Sequence, residues 1–164
     1  MKNLLIILFA CFMTGQVYGQ EISVPAVNTK FGKPSDEELK MTTYAPDTTA
    51  TAVVLCKKTG AFYDFIADDF RLNYSYETKI KILKPEGTSF ADICIPYYEN
   101  ENRSSMKEAV TQIDAFAYNI ENGKTVRTKM KREFIYKERL NDKYMQIKFS
   151  IPNVKVGTVI EYKY

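Results

Sequence analysis

From Phe70 to Ile82 apolar and polar residues alternate with few exceptions. Phe70, Leu72, Tyr74, Tyr76, Ile80 and Ile82 fall on one side; Arg71, Asn73, Ser75, Glu77, Lys79 and Lys81 fall on the other. A period of two separates side chains onto the two faces of an extended chain, whereas a helix would scatter the apolar set around its circumference. The pattern predicts a long strand with one buried and one solvated face. "KYMQIKFSI" repeats it with Met145, Ile147 and Phe149. The closing stretch "PNVKVGTVIEYKY" does so with Ile160, Tyr162 and Tyr164 against Val159, Glu161 and Lys163.

Turn chemistry divides these runs. "TAVVLCKK" ends before Thr59-Gly60 and "AFYDFI" follows, which predicts a hairpin turning at Thr59-Gly60. Asp64, Asp68 and Asp69 lack the alternating oxygen ligands and closing Glu of a calcium loop, and read as a connecting turn between strands. "KPEG" sets Pro85 and Gly87 where a type I turn prefers them. "ADICIPYY" is a strand whose Pro96 marks its end or an edge position. Asn122-Gly123 separates two extended runs, and both residues tolerate the positive φ of a tight hairpin.

One helix is predicted, in "PSDEELKM". Ser35 caps it, Glu38 is the reciprocal partner three residues on, and Asp36 and Glu37 suit the positive helix start; the acidic cluster reads as a solvated first turn. Residues 20–34, with Pro25, Gly32 and Pro34, read as an extended lead-in. Eight or nine short strands joined by hairpins predict an all-β domain over residues 35–164. Its expected form is an antiparallel immunoglobulin-like β-sandwich with a short N-terminal helix.

The first nineteen residues have another character. Lys2 precedes an apolar run from Leu4 to Met13, and Val17 and Gly19 offer small residues for cleavage after Gly19. This is the pattern of a secretory signal peptide, too short to span a bilayer permanently. A lipoprotein site at "LFAC" is the weaker rival, because Phe9 is bulky and the apolar run continues past Cys11. A periplasmic or extracellular location is therefore expected. Loss of Lys2 lowers the formal charge from +3 to +2, too little to steer the chain towards nucleic acid or anionic membranes. With no second long apolar run, no permanent membrane span is expected.

The chain contains no histidine, which excludes Ser-His-Asp and Cys-His catalysis within this polypeptide. The seven glycines are dispersed and form no phosphate-binding loop. Cys56 and Cys94 permit one disulfide or serve as small core residues; neither has a CxxC partner or a neighbouring base to generate a thiolate. No catalytic residue, cofactor or metal ligand is expected. What remains are aromatics. Strands favour them, but Tyr97, Tyr98, Tyr118 and Tyr136 are the least committed to an alternating face and form a candidate interaction surface. Ile160, Tyr162 and Tyr164 join them as a candidate open edge for self-association through the C-terminal strand.

"DTTATAVVL" from Asp47, "KIKILKPEG" followed by "ADICIPYY", "AYNIENGKTV" and "IPNVKVGTVIEYKY" occur in that order. This set resembles domain of unknown function 3857, the N-terminal domain of exported bacterial transglutaminase-like proteins, from about Phe31 to Tyr164. The resemblance implies an immunoglobulin-like fold. It also implies, in longer forms, a downstream transglutaminase-like domain carrying a Cys, His and Asp triad. The sequence would then be truncated before that domain, and none of the triad positions is present to carry over. The implied role is a non-catalytic accessory or interaction module with the downstream domain as partner. The alternative is an independent exported binding sandwich that recognises a glycan or protein through exposed aromatics.

Overall fold

In the computed structural model, residues 27–100, 102 and 107–164 are described. The expected signal peptide lies outside these residues. The described chain forms two antiparallel sheets. The strands are β1 (Ala52–Ile66), β2 (Asp69–Ile82), β3 (Asp92–Tyr98), β4 (Asp114–Glu121), β5 (Lys124–Lys129), β6 (Tyr136–Asn141), β7 (Tyr144–Ser150) and β8 (Val159–Lys163). One sheet has the order β1-β2-β8-β4-β5 and the other β3-β7-β6. Between them lies the main core, with Ile80, Ile82, Ala115, Ala117 and Ile160 from the first sheet and Ile93, Ile95, Ile147 and Phe149 from the second. Burying an aliphatic or aromatic side chain of this kind is worth about 1.5–3 kcal/mol, so this layer dominates cohesion. The all-β sandwich predicted from alternation is the observed architecture.

The short helix is also present as α1 (Asp36–Lys40). The Ser35 hydroxyl accepts from the Glu38 amide, and the Glu38 carboxylate accepts from the Ser35 amide, closing a capping box. Asn122 and Gly123 both have positive φ and join β4 to β5. Pro96 lies within β3, which pairs only with β7 and is an edge strand, where a missing N–H is tolerated. The KPEG segment extends beyond a turn into a 3-10 helix, Pro85–Ala91.

Three expectations about the strands are corrected. Thr59-Gly60 is not a turn: β1 runs through it, with Gly60 opposite Ser75. The hairpin reverses instead at Ala67 and Asp68, both at positive φ, in a two-residue turn with no glycine to announce it. Of the three aspartates assigned to a connecting turn only Asp68 lies in it; Asp64 is within β1 opposite Arg71, and Asp69 opens β2 opposite Ile66.

The terminal strand is not an open edge. β8 pairs with β2 on one side and β4 on the other, and Ile160 is fully buried. The Ile82 amide donates to the Thr158 carbonyl and the Gly157 amide to the Ile82 carbonyl, so the strand is threaded into the sheet from its first residue. Self-association through unpaired groups of β8 therefore loses its structural basis.

The third correction concerns the β2 faces. The side expected to be solvated carries buried Lys79 and Lys81, while Phe70, Leu72 and Tyr74 on the apolar side are exposed. Cys56 is half-buried on β1 and Cys94 exposed on β3, in different sheets and both unpaired. Cys94 is thus not a core residue, and the two form no disulfide.

Candidate functional site

Beyond Tyr76, β2 has no neighbour other than β1 among the described residues. The last rung to β8 joins Glu77 to Lys163, and the Tyr76 and Tyr164 backbones exchange two further hydrogen bonds. From there the β1–β2 hairpin projects as a two-stranded arm. Strand pairing fixes its faces, since directly opposed residues point the same way. Ala61 opposes Tyr74, Tyr63 opposes Leu72, and Phe65 opposes Phe70; these make one face. Asp64–Arg71, Phe62–Asn73 and Ile66–Asp69 make the other.

The first face is apolar and open. Tyr63 and Phe70 are each 70% exposed and Phe65 is 62% exposed, with Leu72 and Tyr74 beside them. The Phe65 and Phe70 rings lie 4.9 Å apart across the strands. Tyr74 stacks on Tyr76 at 6.3 Å and Tyr76 on Tyr164 at 4.9 Å, linking the arm to the body. Even-numbered residues of β2 carry this face into the core at Ile80 and Ile82. The arm is thus a continuation of the core face with nothing laid over it among the described residues. Contiguous apolar surface of this kind marks an interaction site.

The opposite face of the large sheet holds a second feature. There α1 and the segment before it cover β2, β8 and β4. Phe31 packs edge-on to Phe116 at 5.9 Å, and Leu39, Val159 and Tyr118 complete a small apolar cluster. Inside it the Lys79 ammonium lies 3.1 Å from Glu38 and 3.4 Å from Glu161, and donates to the Asn28 carbonyl at 2.9 Å. The Gly32 amide donates to the second Glu161 oxygen at 2.7 Å. Burial pushes the Glu161 carboxyl above its ordinary range, against the opposing pull of the Gly32 hydrogen bond and Lys79. The Tyr118 phenol is pushed up by burial and by the Glu161 charge, and its hydroxyl makes no hydrogen bond among the described residues. Lys81 donates to the carbonyls of Leu39 and Gly157 at 2.6 and 2.5 Å, and burial lowers its pKa to about 8.

This cluster ties the N-terminal segment to the sheet. A cavity of about 10 Å³ beside Lys79 and Glu161 has room for one water, and another near Ile82 and Val156 measures about 70 Å³. Small-molecule sites occupy about 300–1,000 Å³, so neither holds an organic ligand. Among the described residues no three His, Cys, Asp or Glu side chains are grouped to hold a metal ion. No described helix is long and apolar enough to cross a membrane.

The residues singled out from sequence do not come together. Tyr97 is buried between the sheets and Tyr118 beneath the N-terminal segment. Tyr98 is half-buried, edge-on to Tyr144 at 5.7 Å, and only Tyr136 is broadly exposed. Tyr162 faces Phe149 at 6.5 Å, and Tyr164 stacks on Tyr76. The exposed aromatic cluster lies instead on Tyr63, Phe65, Phe70 and Tyr74; alternation assigned Phe70 and Tyr74 to the buried face of a strand, and Tyr63 and Phe65 belonged to the run read as following the hairpin turn. The length of the alternating run in β2 was the available signal: fourteen residues far exceed the five or six that usually cross a sheet.

Fold and surface together define an all-β sandwich module with a projecting apolar hairpin. Residues 68–164 match the family model described as a domain of unknown function with solved structure, DUF3857, and the chain belongs to that family. The match begins at the β1–β2 turn, so the resembling stretch from Asp47 lies outside it. No curated protein and no solved structure matches the chain.

Proposed function

We propose that this chain is a non-catalytic accessory or interaction module of an exported transglutaminase-like protein, acting in the periplasm or outside the cell. The apolar arm carries the reading. A ladder of Tyr63, Phe65, Phe70, Leu72 and Tyr74 held in water gives up about 25 cal/mol for every Å² that a partner would cover. Such a surface suits docking, and the enzyme domain as its partner is what the resemblance of the sequence motifs implies. The sequence lacks the histidine that such an enzyme domain needs, which supports a positioning role. Reading the gene past the Tyr164 codon tests this directly. A continuing frame with Cys, then His, then Asp is expected, and an in-frame stop in an intact gene overturns the reading. The exposed aromatics also favour a second reading, an independent binding sandwich for a protein or glycan. That reading requires retention on immobilised glycans or peptides that is lost in Phe70→Ala.

A further inference from the structure

The arm is a sandwich with one layer missing. At the body end, the β3-β7-β6 sheet covers the core face of β2; beyond Tyr76 that face continues uncovered. We propose that the open face of the arm packs on the same face of a second copy of this chain, each arm supplying the other's missing layer. This rests on the reading of the arm as an interaction surface and adds its occupant.

The chemistry of the face limits what fits. From Thr59 to Tyr76 it presents Thr59, Ala61, Tyr63, Phe65, Phe70, Leu72, Tyr74 and Tyr76, all uncharged. Asp64, Asp69 and Arg71 point to the reverse side. A charged peptide or an anionic lipid surface finds no counter-charge on this face. Aromatic enrichment with depletion of charge is the make-up of an interface centre. A second arm offers the same ladder at the same strand spacing, which is the self-complementarity a two-fold interface requires. Formal charge of +3 on the whole chain sets up little repulsion between copies.

Area is sufficient. Side chains of about 150–250 Å², at the observed exposures, remove roughly 500–600 Å² of each copy from water, or about 1,100 Å² in total. That reaches the range of about 1,000–1,200 Å² at which specific association begins, and predicts a weak, concentration-dependent dimer. Among the described residues the outer edge of β1 is also unpaired. Edge pairing, however, would set two arms side by side and leave both aromatic faces in water, so face packing buries more.

Sedimentation of the purified chain over a micromolar concentration series tests the inference. A monomer–dimer equilibrium is expected. Phe70→Glu with Leu72→Glu weakens it about a hundredfold, because two carboxylates then enter an apolar centre. Tyr63→Arg, on the facing strand, weakens it in the same direction and serves if the double variant does not fold. Phe62→Glu, on the reverse face, leaves the constant within about twofold. A chain that stays monomeric throughout overturns the proposal. So does equal weakening by Phe62→Glu, which would signal edge pairing. A monomeric chain whose Phe70→Glu variant loses binding to a transglutaminase-like domain also overturns the second copy as occupant, while the arm remains an interaction surface.

Discussion

The ammonium of Lys79 lies 3.1 Å from the carboxylate of Glu38, 41 positions away in the sequence and likewise buried. Glu38 serves two masters, closing the α1 capping box through Ser35 and anchoring α1 to the sheet through Lys79. Removing the cation leaves Glu38 and Glu161 buried without it. Lys79→Met is expected to cost about 3–5 kcal/mol, the range for breaking a buried pair from one side. Glu38→Gln keeps an acceptor for the Ser35 amide and should cost less, about 1–3 kcal/mol. Urea midpoints at fixed slope measure both, and the reverse ranking would mean that the ion pair is not the anchor.

Glu161 gives stability a dependence on pH above its ordinary pKa of 4.5. Its folded pKa is raised above the ordinary 4.5 by burial, so between that value and its folded pKa the native state binds more protons than the unfolded chain. Stability therefore falls as pH rises through this window. Glu161→Gln is expected to flatten that slope. An unchanged slope in thermal unfolding curves from pH 4.5 upward would assign it to other groups.

Lys81 acts with the opposite sign at alkaline pH. Its folded pKa is about 8 against 10.5 in the open chain, so over this interval the unfolded state holds the extra proton and stability rises with pH. Lys81→Met removes the rise and leaves the Leu39 and Gly157 carbonyls without their donor, at a cost of about 1–3 kcal/mol near neutrality. Unfolding midpoints at several pH values between 7 and 10.5 read both effects.

Two glycines should respond differently to alanine. At Gly87 a Cβ would sit 2.3 Å from the Thr51 carbonyl oxygen, a backbone atom that cannot swing aside. Thr51 also accepts from the Leu83 and Lys84 amides, so displacing it disturbs the start of β1. Gly87→Ala is expected to destabilise by about 1–3 kcal/mol. At Gly60 the Cβ meets only the Ser75 hydroxyl, at 2.7 Å, which can rotate away. Gly60→Ala should therefore stay within about 0.5 kcal/mol, as substitutions away from the packed core do. Equal losses in calorimetry would contradict the distinction.

The cysteines should differ in reactivity through access alone. Cys94 is exposed on the edge strand and Cys56 is half-buried behind Asn28–Phe31. Labelling of the native protein with a thiol reagent is expected to modify Cys94 at least about tenfold faster. Peptide mapping reads the order, and recovery of a Cys56–Cys94 disulfide would refute the arrangement.

The sequence by itself determined the local elements, because their causes are local. Alternation wrote β2, β7 and β8; Asn122-Gly123 wrote a hairpin; Ser35 and Glu38 wrote a capping box. Where the local signal was absent or ambiguous, the reading failed. Ala67-Asp68 turns without glycine, while Gly60 invited a turn that strand pairing overrode. Burial was decided by tertiary structure alone, because a period of two assigns side chains to faces but cannot say what lies against each face. The Lys79 and Lys81 side became an interior because α1 folded over it, bringing Glu38 and the Leu39 carbonyl to meet the charges. The Phe70 and Tyr74 side became a surface because the covering sheet stops short of the arm. Ile160 and Tyr162 gained neighbours on both sides when β4 and β2 closed around β8. Such contacts join residues far apart in the chain, and their energies exist only once the sheets have formed.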